Sequence, residues 1–311
     1  MKNMPPSHHK KRLALAALLA LTLAACGGEK PETMIASARG YLAKNDPKAA
    51  VIQVKNALQE NPDLPEARYI LGLALLQGGD APGAETELRK ARSLKHPDDL
   101  VVPPLARAML QQGQFKKVIE DFGNVSLTKA DAKAQLQTVL ATAHAAQGET
   151  ARAQQSLAAA LEADPAYAPA LLIQAGELAR VRNFDHALAL VDSVIAKDAI
   201  NAEAWKLKGD LLKIGKDRPT EAMAAYQKSI DANPLSETAY GAAITLLFVQ
   251  GDLKNAGDQL EKLKKVAPNH PQTRYFETLL AFQKQDFKLA RELSQQMLKV
   301  APNNVQVLVL A

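Results

Sequence analysis

The sequence predicts an all-α chain built as a solenoid of antiparallel helix pairs, and three observations carry that prediction. Prolines fall at positions 62, 97, 165, 234, 268 and 302, leaving gaps of 35, 68, 69, 34 and 34 residues, each close to one or two times 34. Small residues recur at matching places in these intervals. Gly72, Gly209, Ala84, Ala153 and Ala256 stand where two helices would cross closely, with Leu75, Leu88, Leu157 and Tyr226 at helical spacing around them. Two kinds of breaker then alternate. Gln77-Gly78-Gly79-Asp80, Gln112-Gly113, Gln147-Gly148 and Gln250-Gly251-Asp252 supply glycine where a helix ends in the left-handed region. Asn61-Pro62, Asp164-Pro165 and Asn233-Pro234 end the following helix, because a residue before proline avoids the helical region.

Taken in order, the units read as follows. The first, from about residue 31, carries Ala38, Tyr41, Ala50, Val54, Ala57 and Pro62. The second runs from Pro65 to Pro97 with Leu71-Gly72, Leu75, Ala84, Leu88 and Ala91. The third, roughly 99–133, is degenerate: Pro103-Pro104 lies in the start of its first helix, and a polar stretch from Gly123 to Lys133 follows a short second one. Ala141, His144, Ala153, Leu157, Ala160 and Pro165 define the fourth, and Ala175, Leu178, Ala187 and Val191 the fifth. The sixth has Trp205, Gly209, Leu212, Ala222, Tyr226 and Pro234, with one extra residue between Gly215 and Pro219. Ala256 with Pro268, then Ala290 with Pro302, mark two more. Residues 33–302 thus hold about eight repeats. Asn303 to Ala311 opens a ninth, whose alternation at Val305-Gln306-Val307-Leu308 could also suit a strand, but the repeat register favours helix. No polar capping helix follows the last repeat, so the sequence reads as part of a longer protein.

A 34-residue period with these small positions and breakers resembles the tetratricopeptide repeat. That resemblance implies a right-handed superhelical solenoid whose concave surface is lined mainly by first helices.

The N-terminus is of a different kind. Lys10, Lys11 and Arg12 precede an apolar run from Leu13 to Leu23, then Ala24-Ala25-Cys26-Gly27-Gly28. The run is too short to span a bilayer as a helix, and its order is that of a secretory signal. It resembles the lipobox of bacterial lipoproteins, which implies residues 1–25 as a signal peptide, cleavage between Ala25 and Cys26, acylation of Cys26, and a tether over residues 26–32. Gly27 at the following position, rather than aspartate, implies an outer-membrane location facing the periplasm. Cys26 is the only cysteine, so it has no disulfide partner within the chain.

Removing that leader changes the charge. Four of the 38 Lys and Arg lie in residues 1–25 with no acid, leaving 34 bases against 33 acids in the remainder. A nearly neutral, interspersed surface gives no ground for a nucleic-acid partner. There is no P-loop or Gly-x-Gly-x-x-Gly run. His144 occupies a buried repeat position, and His96, His186 and His270 lie in different repeats without zinc-ligand spacing. No Ser or Cys has a base in a recognisable motif. The chain is therefore expected to be no enzyme, with no cofactor, no metal and no small-molecule substrate.

Protein binding is the expected work of stacked repeats. Candidate residues on the concave face are Tyr69, Leu73 and Leu76 early, Lys206 and Asp210 with Thr138, Thr142, Leu172 and Lys213 in the middle, and Phe248, Tyr275, Leu279 and Phe282 late. Each aromatic could equally fill the space between repeats. Only Lys206 and Lys213 suggest a carboxylate-gripping cluster, so recognition should be mostly apolar or of extended segments.

The lipobox beside the first repeat, with Ala49–Gln59, Glu66–Gly72, Ala84–Ala91 and Leu105–Leu110, resembles the tetratricopeptide lipoprotein of the PEP-CTERM/exosortase system. This implies a membrane-anchored periplasmic scaffold in exopolysaccharide production or PEP-CTERM protein sorting. Two alternatives stand: a lipoprotein assisting pilus, secretin or outer-membrane protein assembly, and the recognition arm of a longer enzyme.

Overall fold

The computed structural model describes residues 30–300, 302 and 305–309. Cys26, Ala25 and the signal reading lie outside the described residues. The chain folds as two compact units, the boundary falling between Ser156 and Leu157.

The first unit opens with α1 (Pro31–Ala43) and α2 (Pro47–Glu60), followed by α3 (Pro65–Gln77) and α4 (Ala81–Ser93). Next come α5 (Asp98–Gln111), the short α6 (Phe115–Phe122) and α7 (Ala130–Ala146). The helix α8 (Thr150–Ala163) carries the unit boundary. The second unit continues with α9 (Ala168–Arg180) and α10 (Phe184–Lys197), α11 (Ala202–Gly215) and α12 (Pro219–Ala232), α13 (Glu237–Val249) and α14 (Leu253–Val266), α15 (Pro271–Gln283) and α16 (Phe287–Val300). A last turn, α17 (Val305–Leu308), packs on α16, so this segment is helix and not strand. Among the described residues there is no strand.

Consecutive helices from α1 to α7 and from α9 to α17 pack on one another, and first helices also touch across repeats: α1 on α3, α3 on α5, α5 on α7, then α9 on α11 and α11 on α13. The small residues explain how closely. A Cβ on Gly72 would lie 2.5 Å from Leu88 Cγ, and one on Gly209 would lie 2.5 Å from Tyr226 Cδ1. Leu88 and Tyr226 are fully buried, so neither can yield. Burying a leucine of this kind contributes about 1.5–3 kcal/mol. Apolar cores form between neighbours, with Val54 and Ile70 in one, Leu88, Leu105 and Phe122 in the next, Val191 in a third, and Tyr226, Ile244 and Leu260 in the last.

The turns are built by more devices than glycine and proline. Gly79, Gly113, Gly148 and Gly251 have positive φ at four turns between paired helices, as the sequence requires. At the other four the same place is taken by Asn45, Arg182, Asp217 and Gln285, also at positive φ. Asp46, Asp80, Asn201, Ser236 and Asp252 each accept the backbone N–H three residues on, capping a helix start. At repeat junctions, Asn61, Asp164, Asp198 and Asn233 accept the N–H two residues on, at 2.9–3.3 Å, an Asx turn that joins proline in ending the helix at the first, second and fourth and acts without one at Asp198.

The degenerate third unit is seated by its apolar core residues, Leu105 and Phe122 among them, and local polar bonds fix its loop. Pro103 and Pro104 lie inside α5, deeper than a helix start. Asp99 of α5 then accepts the N–H of Thr128 at 2.7 Å and of Lys129 at 3.2 Å, and also the Thr128 hydroxyl, tying down the loop after α6. Nearby, the half-buried Glu85 accepts from Arg89 (2.8 Å), Gln112 (2.8 Å) and Gln114 (2.9 Å). Burial pushes its carboxyl up, but these hydrogen bonds and the Arg89 charge outweigh burial and hold it below the ordinary value.

Candidate protein-binding face

The sequence-derived face residues fall into three kinds of place. Tyr69 in α3 is half-buried and stacks on His96 with ring centroids 4.7 Å apart. Burial pushes its phenol up, and burial likewise pushes His96 down. Leu73 is half-buried against the α1–α3 core, and Leu76 is buried.

In the second unit, Lys206 and Asp210 lie one turn apart on α11 and pair at 2.7 Å. The other oxygen of Asp210 accepts the Tyr226 hydroxyl at 2.8 Å. Burial, then the Asp210 charge, push the Tyr226 phenol far up, so it stays protonated and donating. Asp210 is thereby engaged inside its own repeat. Phe248 is buried, 6.1 Å from Phe276, which in turn lies 5.9 Å from the half-buried Tyr275. Phe248 therefore belongs to the core between repeats and not to an open face. Its helix, α13, is apolar almost all round, and that is why its sequence does not separate the two roles. Phe282 is 43 % exposed and meets Phe287 edge-on at 5.7 Å.

The middle positions divide similarly. Thr138 is buried and donates to the Ala134 carbonyl, while Thr142 donates to that of Thr138. His144 is buried with Nδ1 2.7 Å from Glu149, a packed position and no open ligand. Among the described residues no group of three His, Cys, Asp or Glu is placed to hold a metal ion.

What the sequence missed is a cavity of about 420 Å³ between α9 and α11. Its walls are Gly176, Ala179, Phe184, Leu207, Leu211 and Ile214, with Arg180, Arg182 and Asp210 at its polar margin. Small residues on α9 create the room: no heavy atom lies within 4 Å of where a Cβ on Gly176 would stand. Leu207, Leu211 and Ile214 recur at i, i+4 and i+7, one stripe of α11. A glycine and an alanine three apart, facing such a stripe, are the signal that could have found it.

A second cavity, about 610 Å³, lies in the first unit between Arg89, Arg92, Lys95, His96, Asp98 and Leu105. Its arginines are already paired: Arg89 with Glu85 and Asp121, Arg92 with Asp98 at 3.0 Å. The α9–α11 cavity is the better-formed apolar recess. On its rim Arg180 pairs with Glu177, while Arg182 has no ion-pair partner among the described residues.

A family model described as tetratricopeptide repeat matches residues 35–97 and 174–237, each spanning two of the helix pairs. The fold is thus that of an all-α tetratricopeptide-repeat protein, made of successive antiparallel pairs. Solved structures of similar fold include PilW, a widely conserved type IV pilus biogenesis factor, at 15% identity and TM-score 0.50, covering 79% of this chain and 97% of that one. PilF of Pseudomonas aeruginosa is similar at 19% identity and TM-score 0.48, covering 78% and 94%. A tetratricopeptide repeat protein from Parabacteroides merdae has 14% identity and TM-score 0.47, covering 91% and 98%. No curated protein matches. Among the described residues no helix is long and apolar enough to cross a membrane.

Proposed function

We propose that this chain is a lipid-anchored, periplasm-facing scaffold of the bacterial envelope that holds protein partners on its first helices. The observation that carries the binding role is the open apolar recess between α9 and α11, on the helix layer where first helices meet across repeats. A recess of that size admits a bulky apolar side chain of a partner segment, and Arg182 beside it would favour an acidic neighbour in that segment. Resemblance to the PEP-CTERM/exosortase tetratricopeptide lipoprotein supports partners in exopolysaccharide production or in sorting of PEP-CTERM proteins. Pilus biogenesis, the role named for PilW, is the second reading, supported by a shared fold.

The anchor rests on Cys26 in the sequence Leu23-Ala24-Ala25-Cys26-Gly27. One acyl chain holds a protein only marginally, and several make release negligible. Cys26→Ser should abolish incorporation of labelled fatty acid and move the protein from the membrane to the soluble fraction after cell lysis. Unchanged acyl labelling would refute the lipobox, whatever partners the repeats bind.

A further inference from the structure

Large exposed apolar side chains are unevenly shared between the two units. In the described part of the first they are Ile52 and Leu100. The second carries Val181, Ile214, Val249, Phe282 and Phe287 at one kind of place, besides others elsewhere. Val181 caps α9, Ile214 is next to last in α11, Val249 ends α13, Phe282 is next to last in α15, and Phe287 opens α16. All five thus sit at the turns joining the paired helices of four consecutive repeats. Because α9 packs on α11, α11 on α13, and Phe248 of α13 reaches Phe276 of α15, these turns lie side by side along one edge. The equivalent turns of the first unit are polar, running Lys44-Asn45-Asp46, Gln77-Gly78-Gly79-Asp80, Gln112-Gly113-Gln114 and Gln147-Gly148-Glu149.

The charges between these apolar residues have a sign. Arg180, Lys216 and Arg218 pair with Glu177, Asp185 and Glu221. Arg182, Lys213, Lys254, Lys284 and Lys288 make no ion pair among the described residues. The same turns carry three aspartates without a salt-bridge partner among the described residues, Asp217 and also Asp252 and Asp286, which accept backbone N–H groups at helix starts, so the five unpaired cations outnumber them. The edge therefore alternates projecting apolar side chains with cations free of ion pairs. Val181 and Val249 are 73% and 81% exposed and project singly from turn tips, while Ile214, 70% exposed, stands at the lip of the α9–α11 recess with its outer side open to solvent.

We propose that this edge is a membrane-docking surface that seats the second unit on an anionic phospholipid bilayer. Aliphatic and aromatic side chains projecting at one level reach the acyl boundary, while lysine and arginine stems carry their charges up to the phosphates. A bilayer accepts isolated projections of any spacing, whereas a protein partner would have to match each one in shape. The proposal goes beyond the scaffold reading and does not depend on acylation of Cys26.

The test uses the full chain with Cys26→Ser and one new cysteine, Val249→Cys or Ile214→Cys, carrying an environment-sensitive fluorophore, with Ile52→Cys as the first-unit control. On vesicles of phosphatidylglycerol and phosphatidylethanolamine, the probes at 249 and 214 should blue-shift and be quenched by lipid-borne quenchers, and the probe at 52 should not. Vesicles of phosphatidylcholine alone should leave all three unchanged. Combining Lys254→Glu, Lys284→Glu and Lys288→Glu should weaken the response at 249 about tenfold, with helical content unchanged. A silent probe at both 249 and 214, or an equal response at 52, would overturn the proposal. So would a vesicle-independent shift that grows with protein concentration, since it would assign the edge to a second copy of the chain.

Discussion

Gly209→Leu should lower the thermal midpoint of the second unit sharply. The Cβ alone would lie 2.5 Å from Tyr226 Cδ1, and the Tyr226 ring is fully buried with its hydroxyl held by Asp210 at 2.8 Å. Neither the ring nor the α11 backbone has somewhere to go. Overpacking typically costs about 1–3 kcal/mol, and a leucine against a fixed ring belongs at or above the top of that range. Gly40→Ala is the matching control. No heavy atom lies within 4 Å of its Cβ position, so it should be tolerated or gain up to about 1 kcal/mol from helix propensity. An unchanged midpoint for Gly209→Leu would mean that α11 and α12 do not cross as described.

Tyr226→Ala attacks the same crossing from the other side. It removes the largest fully buried side chain among the described residues and the donor that Asp210 accepts. Truncating a buried aromatic costs about 3–5 kcal/mol. Tyr226→Phe, which keeps the packing and loses only the hydrogen bond, should cost about 0.5–1.5 kcal/mol. Repeat arrays are coupled mainly through neighbouring units. Hydrogen exchange should therefore accelerate in α11, α12 and the helices touching them, with α1 to α4 retaining their protection. Uniform loss of protection across both units would contradict a neighbour-coupled array.

Helix pairs are the most legible part of the chain, because their signals are local. Proline at 62, 165 and 234 and glycine at 79, 113, 148 and 251 act on the backbone wherever they stand, and the structure places a helix end at each. Four turns give weaker signals: Asn45 and Asp217 are of types that enter the left-handed region more readily than most, whereas Arg182 and Gln285 have no such preference and adopt positive φ because of the helices on either side. The binding face is less legible. On α13 nearly every position is apolar, so periodicity does not assign Phe248 to core or groove, and Phe276 decides it from the next repeat. Asp210 reads as a candidate face residue in the sequence, whereas Tyr226, 16 residues away, claims one of its oxygens. The α9–α11 recess comes from side chains that are missing at Gly176 and Ala179, and a hydrophobic pattern records only those present.

The proposed protein partner would enter the first-helix recess of the second unit, between α9 and α11. The direct measurement places a photo-crosslinking residue at Leu207 or Leu211 in the full-length protein in its own cells, with Gln227 on the second helix α12 as the comparison position. Irradiation should yield discrete protein adducts from 207 and 211, and mass spectrometry would then assign them to the polysaccharide and sorting machinery or to pilus components. Adducts from 227 alone, with none from 207 or 211, would contradict the account and move binding to the opposite helix layer.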